Sequence, residues 1–244
     1  MNSIRYDKLI DDLKSEYRPQ REWAEGRGAF LIYGHFLVGV AAGGWLLCRY
    51  YGIFDGMVLS YLLAGLGGLA HLVNLARPER VLNMMLRVRT SWVSRGFWGL
   101  TFFLVGGFLY LLSQKELGSV LGGTSVLTII GDVLAVIGSL TMMCYMGFVY
   151  TASKGIPFWN SALHPVLYIA YAIRGGIAAL VLVLAVREQA LAGESGLLEL
   201  WIAVTAVVIV LWALEIYGAV ASGDDTAKRS INDLLAGRLA LYFY

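Results

Sequence analysis

Three histidines, a glutamate, an arginine and several tyrosines interrupt stretches of this sequence that are otherwise apolar. His35, His71 and His164 are all 3 histidines of the chain, and each lies in or at the edge of a long hydrophobic run, as do Tyr145, Arg174 and Glu215. Spacing groups them further. His71 and Asn74 stand three residues apart, on one face of a helix. His164, Tyr168, Tyr171 and Gly175 recur at i, i+4, i+7 and i+11 with Arg174 beside them, and Trp212 shares a face with Glu215. Arg95 heads another run. Ionisable groups placed in hydrocarbon are costly and default to functional candidates. The chemistry that needs them together is quinone reduction or quinol oxidation. A ring with two carbonyls calls for donors such as Tyr and His, and two-electron transfer also moves two protons, which a His or Glu can carry.

Each residue also has a plainer reading. His71 and His164 lie close enough to the ends of their runs to be solvated, Glu215 and Arg174 could form a structural ion pair, and Trp92 and Trp159 suit an interfacial aromatic belt. Two further readings compete. His35 and His71 fall on adjacent antiparallel runs, as axial ligands to a b-type haem would require. A transporter or proton channel would also concentrate ionisable groups within a membrane, although neither broken helices nor an inverted repeat is evident.

The elements that must position these residues are six apolar runs, Ala29–Cys48, Met57–Leu75, Phe97–Leu112, Thr128–Val149, His164–Val186 and Leu198–Val220. Most reach the ~20 residues that cross about 30 Å of hydrocarbon as a helix. The third does so only if Ser91–Gly96 enters the interface. No alternating pattern suggests a barrel, so the expected fold is an all-α polytopic transmembrane helix bundle. Composition agrees, with 58% hydrophobic and 15% charged residues. A net charge of +2 gives no reason to expect nucleic acid as a partner; membrane lipid is the expected surroundings.

Six spans put all but four of the 19 Lys and Arg on one side; Arg49, Lys115 and Arg187 lie on the other, and Arg174 within a span. The positive-inside rule makes the crowded side, with the N-terminus, cytoplasmic. Residues 1–26 lack the apolar core of a cleavable signal. Instead Tyr6, Leu9, Ile10, Leu13 and Tyr17 form an amphipathic stripe suited to lying against a partner protein. Residues 27–244 form the bundle as one domain. A short interfacial helix is expected after Pro78, and Gly39 with Gly43 form a G-x-x-x-G pair for close helix packing. Asp132, near the far end of the fourth span, could belong to a proton path or sit at the interface, and the interfacial reading is preferred. Leu234–Tyr244 resembles the opening of a seventh span cut short. Cys48 and Cys144 fall at opposite ends of their spans and cannot pair, and no C-x-x-C spacing is present. No metal site or iron–sulfur cluster of the chain's own is therefore expected, and electrons must come from or go to another subunit.

Four segments carry a resemblance. Leu69–Arg80 with its Arg77-Pro78 turn, Thr90–Gly96 with Ser91-Trp92, Tyr145–Tyr150, and Ile156–Trp159 resemble the polysulfide-reductase-type (NrfD-like) membrane subunits and the related membrane anchors of dimethyl-sulfoxide-reductase-type enzymes. The likeness runs from about Gly28 to Gly176 and more weakly to the end. It implies a quinone-reactive membrane anchor, in a family-type bundle of eight spans, for menaquinone or ubiquinone. It also implies a ferredoxin-like multi-cluster iron–sulfur subunit and a molybdopterin-type catalytic subunit as partners, in a prokaryotic cytoplasmic (inner) membrane. On this resemblance His35 and Tyr145 match quinone-contacting positions, and Asn74, His164 and Arg95 are further quinone-binding candidates by residue type and depth. Glu215 and His71 would handle protons, and Arg174 would hold Glu215 ionised or balance the semiquinone. Asn74 stands where many members have Asp, and Ala76 where many have Gly.

Overall fold

A computed structural model of the chain describes residues 10, 25–75, 77, 79, 81–114, 126–187, 194–237 and 239–243. The amphipathic stripe expected over residues 1–26 lies outside these, apart from Ile10. Helix α1 spans Gly28–Tyr51, α2 Phe54–Asn74, α3 Val81–Met85, α4 Trp92–Gln114 and α5 Val126–Thr151. A 3-10 turn at Pro157–Trp159 leads to α6, His164–Val186, then α7, Glu194–Ala221, α8, Asp225–Leu235, and α9, Ala240–Phe243. Among the described residues there is no strand, and six helices are long and apolar enough to cross a membrane. The chain is a multi-pass membrane protein, an all-α helical bundle.

Local chemistry sets the breaks. Gly52 adopts a left-handed φ of 69° and closes α1, its N–H reaching back to the Arg49 and Cys48 carbonyls, so the chain reverses into α2 within two residues. Pro165 sits in the first turn of α6, where a missing N–H costs nothing. Asp224 caps α8 by accepting from the Thr226 and Ala227 N–H groups at 2.8 and 3.0 Å. The region after α2 holds the short helix α3, and α4 begins at Trp92, so residues 92–96 do extend the third span.

Helix α1 sits at the centre, packed on α2, α5 and α6, while α4 and α5 form the most extensive pair and α7 leans chiefly on α6. The α1–α6 crossing depends on absent side chains. A Cβ on Gly43 would come within 1.9 Å of the Ala172 carbonyl oxygen, and one on Gly176 within 2.3 Å of the Gly43 backbone. The expected G-x-x-x-G pair therefore faces two neighbours, since a Cβ on Gly39 would meet Met146 of α5 at 3.4 Å. Trp45 fills the bundle centre, with Phe103 and Tyr110 ring centroids at 5.1 and 5.9 Å. Large apolar side chains such as Phe36, Leu182 and Ile209 face outward, which a lipid surrounding makes favourable.

The two ends of the bundle differ. At the end away from the cationic loops, Asp132 of α5 pairs with Arg49 of α1 through both carboxylate oxygens, and Arg187 after α6 meets Asp55 of α2 at 3.0 Å. Asp132 is thus an ion-paired group at the end of its span. The other end carries Arg77, Arg87, Arg89, Lys154, Lys228 and Arg229, and the histidines lie beneath it.

Candidate functional site

Helices α1, α2 and α5 bring two tyrosine–histidine pairs face to face. The Tyr145 hydroxyl and His71 Nε2 are hydrogen-bonded at 3.2 Å, and the Tyr150 hydroxyl and His35 Nδ1 at 3.0 Å. The two imidazole rings stand 5.0 Å apart, tilted by 58°, and Tyr145 presents its edge to His35 at 6.0 Å. All three of His35, His71 and Tyr145 are buried. The sequence places them by helical geometry. Tyr145 and Tyr150 are five residues apart on α5, about 140° around the helix, so one turns toward α2 and the other toward α1 and α6.

Beside these pairs is a cavity of about 190 Å³ lined by His35, His71, Asn74, Tyr145 and Tyr150, with Leu31, Leu75, Met84, Val93, Gly96 and Phe97 among its apolar walls. Gly96 makes room for Tyr145, because a Cβ there would meet the phenol ring at 2.3 Å. The floor is stiffened by the turn after α3. Ser94 donates to the Met84 carbonyl, and Trp98 Nε1 donates to the Met85 carbonyl at 3.1 Å.

The other sequence-derived candidates fall elsewhere. Arg95 does not line the cavity; it donates to the Val88 and Arg89 carbonyls at 2.9 and 3.0 Å and stacks on Trp92 at 4.1 Å, fastening the turn before α4. His164 lies one ring further along, 6.3 Å from Tyr150 and 6.4 Å from Tyr168. Its Nδ1 faces Glu215 Oε1 at 3.2 Å, both buried. Arg174, expected beside Glu215, instead donates to Thr205 Oγ1 at 3.0 Å and stands over Trp201 at 5.1 Å. Thr205 and Glu215 are ten residues apart on α7, about 15 Å along its axis, so the geometry gives Glu215 to His164.

The main group the sequence reading passed over is Tyr150. It binds His35, stacks on Tyr168 at 5.2 Å and packs edge-on to Trp159 at 4.7 Å. Its polar position near the end of an apolar span, in phase with Met146 and Gly147, was the available signal. Tyr171 also gains a partner, since Trp212 Nε1 donates to its hydroxyl.

Buried imidazoles and phenols thus surround a ring-sized cavity within a multi-pass membrane bundle. The family model described as polysulphide reductase, NrfD, matches residues 28–244, and the chain belongs to that family. Members are membrane subunits of quinone-linked oxidoreductase complexes, typically paired with iron–sulfur and molybdenum catalytic subunits. No curated protein matches the chain, and no solved structure does. The haem alternative does not suit the geometry. Two axial ligands would hold a porphyrin between their rings, whereas the His35 and His71 ring centroids stand 5.0 Å apart, too close to leave a porphyrin between them.

Proposed function

We propose that the cavity bounded by His35, His71, Asn74 and Tyr145 receives the ring of a quinone or quinol, menaquinone or ubiquinone. On this reading the chain exchanges electrons between the quinone pool and an iron–sulfur partner docked at its basic end. The observation that carries the reading is the convergence of two hydrogen-bonded Tyr–His pairs, at 3.0 and 3.2 Å, on one cavity. Its volume of about 190 Å³ suits a single ring, since a cavity of about 150 Å³ admits benzene. The ring's tail and further substituents would leave through the apolar wall into lipid. A bound quinone supplies two-electron, two-proton chemistry.

The residues supply binding and proton handling. A neutral imidazole has one N–H and one bare nitrogen. When each tyrosine donates to its histidine, the remaining nitrogen carries the proton and donates to a carbonyl. When the histidine donates to tyrosine, that nitrogen is bare and accepts from a quinol hydroxyl. The same pair thus serves either oxidation state by a tautomer change, without moving heavy atoms. Tyr145 and Tyr150 hold the rings in place, Asn74 offers a further donor and acceptor, and the apolar walls exclude water. On this reading His71 and Glu215 hold protons, with His164 facing Glu215 at 3.2 Å.

The positive-inside distribution supports an N-terminus in the cytoplasm, and membership of the family supports the inner membrane of a prokaryote. The whole assembly would include the molybdopterin-type catalytic subunit that the family typically provides. Mild-detergent purification from native membranes, with copurifying chains identified by mass spectrometry, tests the partner. A ferredoxin-type multi-cluster subunit is expected, and a chain that emerges alone from membranes expressing its neighbours argues against the role.

A further inference from the structure

His35 and Tyr150 have two sides. One lines the cavity just described, and the other lines a much larger groove of about 940 Å³ between α1 and α6, flanked by α2 and α7. The groove faces the lipid side, where Phe36, Ala178 and Leu182 are exposed. Its length matches a tailed molecule. Tyr168 and Leu182 both line it and lie fourteen residues apart on α6, about 21 Å at 1.5 Å per residue. Most of the wall is apolar, and its polar members are His35, Tyr150, Tyr168, Tyr171 and Arg174. Every one of them can donate a hydrogen bond, and the lining contains no carboxylate.

Arg174 is the informative residue. Ten residues into α6, it lies about 15 Å from the helix start, at the middle of a hydrocarbon layer about 30 Å thick. Its partners are a hydroxyl and an indole ring, and among the described residues no carboxylate is paired with it. A guanidinium at that depth retains donors for an acceptor that enters from lipid. The depth selects the acceptor. Phosphate and carboxylate headgroups stay at the interface, about 15 Å away, whereas a neutral ring bearing two oxygens and an apolar tail dissolves at the midplane.

We propose that the α1–α6 groove is a second quinone-class binding site, anchored by Arg174 and separated from the first cavity only by the His35–Tyr150 pair. This rests on the quinone reading of the first cavity. The two sites stand in series: a ring held at Arg174 has its tail along α6 toward Leu182 and its head next to the wall that the inner site uses.

The test is equilibrium binding of a decyl-tailed 1,4-naphthoquinone and a decyl-tailed ubiquinone analogue to the purified full chain, with azido versions to map labelled peptides. Two variants remove the groove differently. Arg174→Gln deletes the cation, and Ala178→Trp fills the space from an exposed position, outside the core. The expected result is two equivalents bound by the wild type, one of them weakened at least tenfold in both variants, with labelling of α6 and α7 lost. Gly96→Val should remove the other equivalent and spare this one. A single equivalent that Gly96→Val abolishes and Arg174→Gln leaves intact overturns the groove and keeps the inner site. Two equivalents in wild type and both groove variants alike also overturn it, as does α6 labelling that only phospholipid competes away. Absence of any binding overturns both sites.

Discussion

The two ends of this bundle handle polar groups in opposite ways. At the end away from the cationic loops, charges meet charges: Arg49 with Asp132, and Arg187 with Asp55, all partly exposed. At the other end the polar groups lie deeper, are mostly imidazole and phenol, and meet one another across helix boundaries, as in His35–Tyr150, His71–Tyr145 and His164–Glu215. An exposed ion pair contributes little, about 0–1 kcal/mol, and ties helix ends together. Buried and half-buried polar side chains cost desolvation, and of these His35, His71, Tyr145 and Tyr150 also line a cavity. The first arrangement is what a membrane bundle needs to hold its ends in register. The second, on the proposed reading, is what a bundle needs to receive a ring and exchange protons with it.

The largest effect that could break this contrast is loss of His35, which lines both cavities and holds Tyr150. His35→Ala should lower quinone-linked turnover in membranes about 100-fold or more while the chain accumulates normally; unchanged turnover contradicts its role. Next comes Gly96→Val, whose added side chain must displace the Tyr145 ring. Quinone-analogue affinity should drop at least tenfold, and an affinity within twofold of wild type would show that the cavity is not the ring's place.

Glu215→Gln should reduce turnover about fivefold with analogue binding intact, because it removes a proton acceptor without changing shape. If thermal stability falls and turnover does not, the His164–Glu215 pair is a structural feature like those at the far end. The smallest effect belongs to Asp132→Asn. It should cost no more than about 1 kcal/mol of stability and leave quinone binding and turnover unaltered; a large loss of turnover would place chemistry at the end assigned to structure.

Much of this arrangement was legible in the sequence. Hydropathy located the six spans found among the described residues, His164–Val186 to the residue and the rest within a few positions, because crossing hydrocarbon imposes a length and a composition that packing cannot override. The presence of His35, His71, Asn74 and Tyr145 near one depth was legible for the same reason, since rise per residue converts position into depth. Rotation about each helix axis was not. Whether His71 turns toward His35 or toward lipid is decided by close contacts such as Gly34 against His71, where a Cβ would come within 2.9 Å of the ring. Those contacts join residues far apart in the chain, so Tyr150 went unassigned, Arg95 was placed at the ring rather than on its own turn, and Glu215 was matched to Arg174 rather than His164.

The most direct test of the central claim is a high-resolution structure of the full chain in a lipid nanodisc with a saturating decyl-tailed naphthoquinone. The account predicts a ring in the α1–α2–α4–α5 cavity with its oxygens about 3 Å from polar atoms of His35, His71 or Tyr145. A cavity closed on its own side chains, with no ring there at saturation, would contradict it.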